Sequence, residues 1–389
     1  MEDIDIIIND EFKPKIKVIG VGGGGGNAVN YMHNMGIEGV DFIVCNTDAQ
    51  FLKNSPVPKK IILGESGLGA GNIPENGLEA AVKSQEALKA LFENERTDMV
   101  FLSVAMGGGT GTGASPYIAK LAKEKGILTV GIVSVPMKFE GKKRLNNAFK
   151  GLRELRDNVD AILIANSNHL FDEDREEVAL SVGHGQIDKV MATATKGIAE
   201  VVTIHGVVNV DMKDVETTLK DSGYAIICMG SSKGENRAEE AIRKAFDSPL
   251  MYKPQLRSAT KVLMNISHHP NSEITTRELG LVTKFLEEEL GDTDYIWGST
   301  SNDILEEGEL SVLLVVTGFE SEDDMKDLDL DNPESYCKYL EKYYGCSIDF
   351  APKNLKSEVS LDAPFDSIQE LADLEFDDED DRLGFFDRE

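Results

Sequence analysis

Ten residues constrain this chain more than any others. They are M-G-G-G-T-G-T-G-A-S, Met106 to Ser115, with five glycines in seven positions between an apolar run and an alanine-rich one. Ordering glycine is entropically costly, and what it allows in return is main-chain approach to a ligand that a Cβ would block. A glycine turn leading from a strand into a helix presents N–H groups and a helix dipole to an anion, most often phosphate. A second segment of the same kind, G-V-G-G-G-G-G-N (20–27), stands near the start of the chain.

Apolar runs alternate with helical periods around these segments. K-I-K-V-I-G-V (15–21), D-F-I-V-C-N (41–46), D-M-V-F-L-S-V-A (98–105), I-L-T-V-G-I-V-S-V (127–135) and V-D-A-I-L-I-A (159–165) read as strands. Helices are expected over 27–35, about 77–92 and from the second glycine turn to about Lys125. That alternation predicts an α/β domain on a parallel sheet. A proline-free stretch, Gln186 to His205, predicts a long rigid helix. Beyond it, Y-A-I-I-C-M (224–229), K-V-L-M-N-I-S (261–267), D-Y-I-W-G-S (294–299) and E-L-S-V-L-L-V-V-T-G (309–318) read as strands, with helices near 234–247 and 273–289. Alternating patterns among them suit a mixed sheet. The resulting division is an N-terminal arm (1–14), a first α/β domain carrying both glycine turns (15–182), a connecting helix (183–208), a second α/β domain (209–318) and an acidic tail (319–389).

Charge narrows the possible functions. The 389 residues carry a formal net charge of −29, which repels nucleic acid. Six of the twelve residues 321–332 and seven of the nine residues 373–381 are acidic; such blocks read as disordered, solvated chain. The segment 333–346 within the tail is aromatic-rich. Cys45, Cys228, Cys337 and Cys346 show no metal or redox spacing and read as reduced structural thiols. Six histidines likewise lack metal spacing beyond the adjacent His268 and His269. The acidic opening M-E-D-I-D-I-I-I has too short an apolar run for a signal peptide, and no window approaches a membrane span. A cytoplasmic protein is expected.

The first glycine segment satisfies G-x-G-x-x-G through Gly20, Gly22 and Gly25, with Asp41 and Asp48 about 20 positions on, which is the pattern of an NAD or FAD enzyme. The second segment argues against it. A dinucleotide fold needs one glycine turn, whereas two turns on neighbouring strand ends aim two sets of N–H groups at one point, an arrangement suited to a triphosphate. No G-x-x-x-x-G-K-[ST] occurs. Further on, Asp211 and Asp214 in N-V-D-M-K-D (209–214) stand i, i+3 at a helix start, so both carboxylates point to one side. Taken alone they are N-cap acids.

G-G-G-T-G-T-G resembles the signature of the tubulin/FtsZ superfamily, and Lys15 to Gly318 is similar throughout to the FtsZ family. K-V-I-G-V-G-G-G-G-G-N-A-V (17–29), C-N-T-D-A-Q (45–50), G-L-G-A-G-N-I-P-E (67–75), F-E-G-K-K-R (139–144) and N-V-D-M-K-D-V (209–215) carry the resemblance. It implies a tubulin-like fold: a parallel-sheet nucleotide-binding domain, a long central helix and a second mixed-sheet domain. It also implies a GTPase that polymerises head to tail into the cell-division ring at mid-cell.

On that resemblance Gly23, Gly24, Gly25, Gly26 and Asn27 hold the α- and β-phosphates, and Gly109, Thr110 and Gly111 hold them from the other side. The loop Gly69 to Asn72 senses the γ-phosphate, Glu140 and Arg144 lie at the ribose and phosphates, and Asp188 accepts from guanine N1 and N2. Two positions depart from the family pattern: His184 stands where a base-stacking Phe is common, and Ser167 where an Asn contacts guanine, with Asn166 and Asn168 beside it. Asp211 and Asp214 are the catalytic pair, placed in the next subunit's pocket to polarise the attacking water, with Asn209 positioning the loop. Mg²⁺ is held through phosphates and water rather than by a protein cage. The implied partners are further copies of the chain, with division adaptor proteins on the tail through Leu383, Phe385 and Phe386, so that membrane contact is indirect. A filament-forming homologue that does not hydrolyse is the alternative, and the intact aspartate pair argues against it.

Overall fold

The computed structural model describes residues 14–37, 39–93, 96–137, 140–166, 180–204, 206–247, 259–291 and 293–318. The tail with its acidic blocks and aromatic segment, Cys337, Cys346, Ser167, Asn168 and the His184 side chain lie outside them.

The first half alternates strand and helix as its pattern demands. In order it runs β1 (Ile16–Val21), α1 (Gly22–Asn34), β2 (Val40–Asn46), α2 (Ala49–Asn54), β3 (Lys59–Ile62), α3 (Pro74–Lys83) and α4 (Gln85–Glu93). It continues with β4 (Met99–Ala105), α5 (Gly109–Glu124), β5 (Leu128–Val135), α6 (Lys142–Arg156) and β6 (Ala161–Asn166). Every pairing among β1 to β6 is parallel. The strands are apolar on both sides because helices cover both faces. Ile16 and Val18 face Ala28, Val29 and Met32 of α1, while Ile19 and Val21 face Ile118 and Ala119 of α5 and Leu152 of α6.

The expected helix at 77–92 is two helices. The break falls at Ser84, whose hydroxyl accepts from Gly64 N at 2.9 Å. A hydroxyl engaged with backbone outside its helix competes with continuing that helix.

The long helix, α7 (Leu180–Thr203), starts earlier than its sequence pattern predicts. The second half follows as β7 (Gly206–Val208), α8 (Met212–Leu219), β8 (Gly223–Lys233), α9 (Arg237–Phe246), β9 (Lys261–His268), α10 (Thr276–Leu290), β10 (Asp294–Ser301) and β11 (Glu309–Thr317). Here the pairing is mixed: β11 runs antiparallel to β8 and β9, whereas β9 and β10 are parallel. Among the described residues all the strands form one eleven-stranded sheet, ordered β3-β2-β1-β4-β5-β6-β8-β11-β9-β10-β7. Its two halves join where β6 pairs with β8.

Helix α7 packs on both halves. Its Ile187, Met191 and Ile198 share a core with Met32 of α1 and with Leu263 and Leu313 of β9 and β11. At Gly197 the approach is so close that a Cβ would lie 2.4 Å from Leu313 Cδ1.

Candidate functional site: a glycine cradle and a distant pair of carboxylates

β1 and β4 are adjacent and parallel, with Val21 opposite Val104, so both chains turn into helices side by side. The sequence places the start of α1 at Asn27; the helix instead begins at Gly22 and winds all five glycines into its first turns. Close packing explains the difference. A Cβ on Gly25 would lie 2.0 Å from Ser103 O, on Gly24 2.3 Å from Ala105 Cβ, and on Gly26 2.5 Å from the Phe51 ring. Gly23 behaves differently, being exposed and bordered by open space where its Cβ would be. Asn27 is exposed one turn further on.

The second segment lies directly against the first. A Cβ on Gly111 would fall 2.8 Å from Ala105 O and 3.2 Å from Val21 O, while the Cβ position of Gly108 is open. Neither α1 nor α5 has a side-chain cap or an acidic residue in its first turn. The first-turn N–H groups of two helices therefore converge with no internal partner, and their dipoles add.

The threonines shape the loop. Thr110 is 8% exposed with Oγ1 2.6 Å from Thr47 Oγ1, and Thr112 Oγ1 accepts from Gly107 N at 2.8 Å. Thr47 sits inside the C-N-T-D-A-Q segment and Thr112 inside G-G-G-T-G-T-G, but neither motif indicates by itself that these hydroxyls brace the loop.

Two further segments close the cradle. A Cβ on Gly109 would lie 2.8 Å from both Ala70 Cβ and Ile73 N, which brings the 69–72 loop onto the start of α5. That loop holds Gly69, Gly71 and Asn72 at φ of 88°, 63° and 61°. It is pinned by Gly69 N donating to Thr47 O at 3.0 Å and Asn76 Nδ2 donating to Ala70 O at 3.2 Å. On the other flank, a Cβ on Gly107 would sit 2.8 Å from Arg144 O. Arg144 Nη1 lies 2.7 Å from Glu140 Oε2, and Glu140 Oε1 accepts from Met137 N at 2.9 Å. Arg144 Nε is buried without a partner among the described residues, a donor that an anion would satisfy. Asp188 is half-buried on α7, beside core residue Ile187. Asn166 ends β6, its backbone in register with Val135.

Asp211 and Asp214 are elsewhere. Asp211 Oδ1 accepts from Lys213 N at 2.8 Å and Asp214 N at 3.0 Å, and Asp214 Oδ2 accepts from Asp211 N at 3.0 Å. This reciprocal capping box commits one oxygen of each carboxylate and aims both side chains outward from the start of α8. Asn209 Oδ1 accepts from Gly206 N at 2.7 Å and shapes the preceding turn.

The glycine segments lie at the C-terminal ends of β1 and β4. By contrast, α7 ends near the N-terminal end of β2, where a Cβ on Gly39 would lie 2.8 Å from Thr203 Cγ2. Likewise α8 ends beside Asp160, just before β6. From Asp188 to Thr203 alone α7 covers about 22 Å at 1.5 Å per residue. Within one chain the carboxylates and the cradle face opposite ends of the sheet.

Among the described residues no group of three His, Cys, Asp or Glu side chains could hold a metal ion, and no helix is long and apolar enough to cross a membrane.

A parallel sheet with paired glycine cradles, joined by a long helix to a mixed-sheet half, defines a nucleotide-binding protein of the tubulin type. Comparison supports that class: the model described as Tubulin/FtsZ family, GTPase domain matches residues 15–173, and FtsZ family, C-terminal domain, matches 223–320. The cell division protein FtsZ of Porphyromonas gingivalis is 41% identical over 308 residues, covering 78% of this chain and 67% of that protein. FtsZ of Aquifex aeolicus is 44% identical over 255 residues, 65% of this chain and 69% of that protein. An empty FtsZ dimer of M. jannaschii matches with a TM-score of 0.74 at 37% identity, covering 80% of this chain and 90% of that one. The chain belongs to the FtsZ family. It is a guanine-nucleotide-binding GTPase of cell division, tubulin-like and cytoskeletal, that associates with copies of itself.

Proposed function

We propose that hydrolysis is divided between two copies: one holds GTP in its glycine cradle, and Asp211 and Asp214 of the next reach that cradle from the opposite end of the sheet. The observation that carries this reading is the separation itself, since a single chain has no means of bringing α8 to Gly108.

In the holding copy, backbone N–H groups at Gly23 to Gly26 and at Gly109 to Gly111 donate to α- and β-phosphate oxygens, with Asn27 beside them. The 69–72 loop orders around the γ-phosphate, Arg144 satisfies its buried Nε on phosphate or ribose, and Asp188 accepts from the guanine donor edge. In the neighbour, the carboxylate oxygens left outside the capping box orient the attacking water. Phosphoryl transfer needs placement and charge neutralisation more than covalent chemistry, and these groups supply the placement.

The protein groups lining the cradle are mostly backbone donors, which suits a Mg²⁺ bound through phosphates and water; when bound it neutralises charge on β- and γ-oxygens. On this reading residues 15–182 bind nucleotide, 209–318 activate the neighbour, and 183–208 connect them. A heterologous contact that does not close gives an open filament. Cytoplasmic filaments then assemble at mid-cell, tethered to the membrane indirectly through adaptor proteins on the C-terminal peptide of the 319–389 tail. Deleting residues 380–389 tests the tether, which predicts loss of ring localisation.

The experiment for the shared site is phosphate release against protein concentration. Turnover per subunit rises steeply above the assembly threshold, and constant turnover in dilute, unassociated protein would refute the reading.

A further inference from the structure

Helix α8 is tied at its C-terminal end to both halves of the sheet. From the second half, Lys261 Nζ donates to Thr217 O at 2.8 Å and Thr317 Oγ1 donates to Thr218 O at 3.0 Å. From the first half, Lys123 near the end of α5 reaches Asp221 Oδ1 at 3.1 Å, Val159 O at 3.2 Å and Asp160 Oδ1 at 3.4 Å. Asp160 is buried, and its other oxygen accepts from Thr129 N at 2.8 Å. Asp221 lies two residues beyond α8 and has φ +49°, a backbone state that persists only where the surroundings fix it. Glu216 of α8 and Lys220, which caps its C-terminal end, line the same cleft.

The other end of α5 is Gly109, in the nucleotide cradle. Its sixteen residues span about 24 Å. One helix, with Pro116 inside it, thus has a phosphate-facing terminus at one end and a hold on α8 at the other.

We propose that Lys123 is a positioning residue for hydrolysis: through Asp221 it fixes α8, and so Asp211 and Asp214, relative to the body that carries α5. The inference rests on the reading that those carboxylates act in the neighbour's cradle. As a source of stability the clasp is minor. Its side chains are 37% and 69% exposed, and exposed pairs contribute about 0–1 kcal/mol. Its effect is on geometry, where an error near 1 Å costs up to roughly a hundredfold in rate.

Asp221→Asn opens the clasp with least disturbance, since asparagine accepts left-handed backbone well and the Lys123–Asp160 contact stays intact. Full-length protein is assayed for GTP binding before assembly, for sedimented polymer, for kcat per polymerised subunit and for hydrogen exchange along 212–219. The expected result is unchanged binding and polymer, faster exchange in α8, and kcat lower by about three- to tenfold. Lys123→Arg, which keeps the charge, retains most of the wild-type kcat, whereas Lys123→Gln shows the D221N defect. Should D221N fail to fold, that lysine pair decides on the same readouts. Wild-type kcat in the neutral variants would overturn the proposal.

Asp211→Asn is run alongside. If it abolishes hydrolysis while D221N does not, the clasp alone fails; if it too leaves kcat unchanged, the reading of the α8 carboxylates fails.

Discussion

A Cβ placed on Gly22 would lie 2.8 Å from the main-chain nitrogen of Gly111, so the two glycine segments meet backbone to backbone. Gly22 also has φ +74°. Gly22→Ala is therefore strained twice and is expected to lose about 1–3 kcal/mol of stability together with nucleotide binding. Gly23→Ala provides the contrast. Its methyl enters open space, so the melting temperature holds while GTP affinity falls by about tenfold, or about 1.4 kcal/mol. Thermal melts and nucleotide titration separate the two. Unaltered GTP affinity in G23A would remove Gly23 from the cradle.

The capping box at Asp211 lets charge be tested apart from folding. Asparagine caps helices as well as aspartate, whereas alanine costs about 1 kcal/mol. Asp211→Asn is thus expected to melt like wild type and bind GTP normally, yet lose at least about tenfold in kcat. Asp211→Ala loses both activity and stability. Parallel denaturation and phosphate-release curves check the pattern; a fully active D211N would leave the carboxylate with a capping role only.

Acid sensitivity is expected from the second half. Arg237, with a side chain 8% exposed, donates from Nε to Glu278 Oε1 at 2.7 Å and from Nη2 to Oε2 at 3.2 Å. That guanidinium, aided by Thr275 and opposed by partial burial, holds the Glu278 carboxyl down at about 2. A carboxylate depressed in the folded state contributes stability that is full above its unfolded value, near 4.5, and drains away as pH falls towards 2. Glu278→Gln is expected to cost roughly 2 kcal/mol at pH 7. Its stability then changes less than wild type between pH 4.5 and 2, as urea titrations across that range would register.

Chelation separates folding from chemistry. With a metal held through phosphates, EDTA is expected to stop GTP turnover while leaving the melting temperature of nucleotide-free protein unchanged. A large drop in that temperature would reveal a structural metal.

Much of this architecture is written in local patterns. Predominantly apolar runs mark β1, β4 and β5, and glycine density alone marks both loops. What escapes is set by partners distant in sequence. The start of α1 depends on Ser103, Ala105 and Phe51 pressing on glycines, which by propensity alone argue against a helix. At three and four residues, β7 and β3 are too short to show a period. Lys17 is buried inside β1 with Nζ donating to Leu91 O, against the rule that lysines face water. At Asp211 and Asp214 the capping role legible from spacing is the one the hydrogen bonds display, and it leaves an oxygen of each available for chemistry. The opposed placement of cradle and carboxylates follows from strand direction, which no local motif records.

The join between the halves has a mechanical corollary. β6 and β8 share three residue pairs, Ala161 to Leu163 with Gly223 to Ala225, whereas β8 and β11 share nine. A load passing from one half of the sheet to the other crosses that short ladder, so compliance concentrates at the seam, with α7 lying over both sides like a leaf spring. Curvature imposed on a polymer would be absorbed first inside each subunit, along a line fixed by three rungs of backbone.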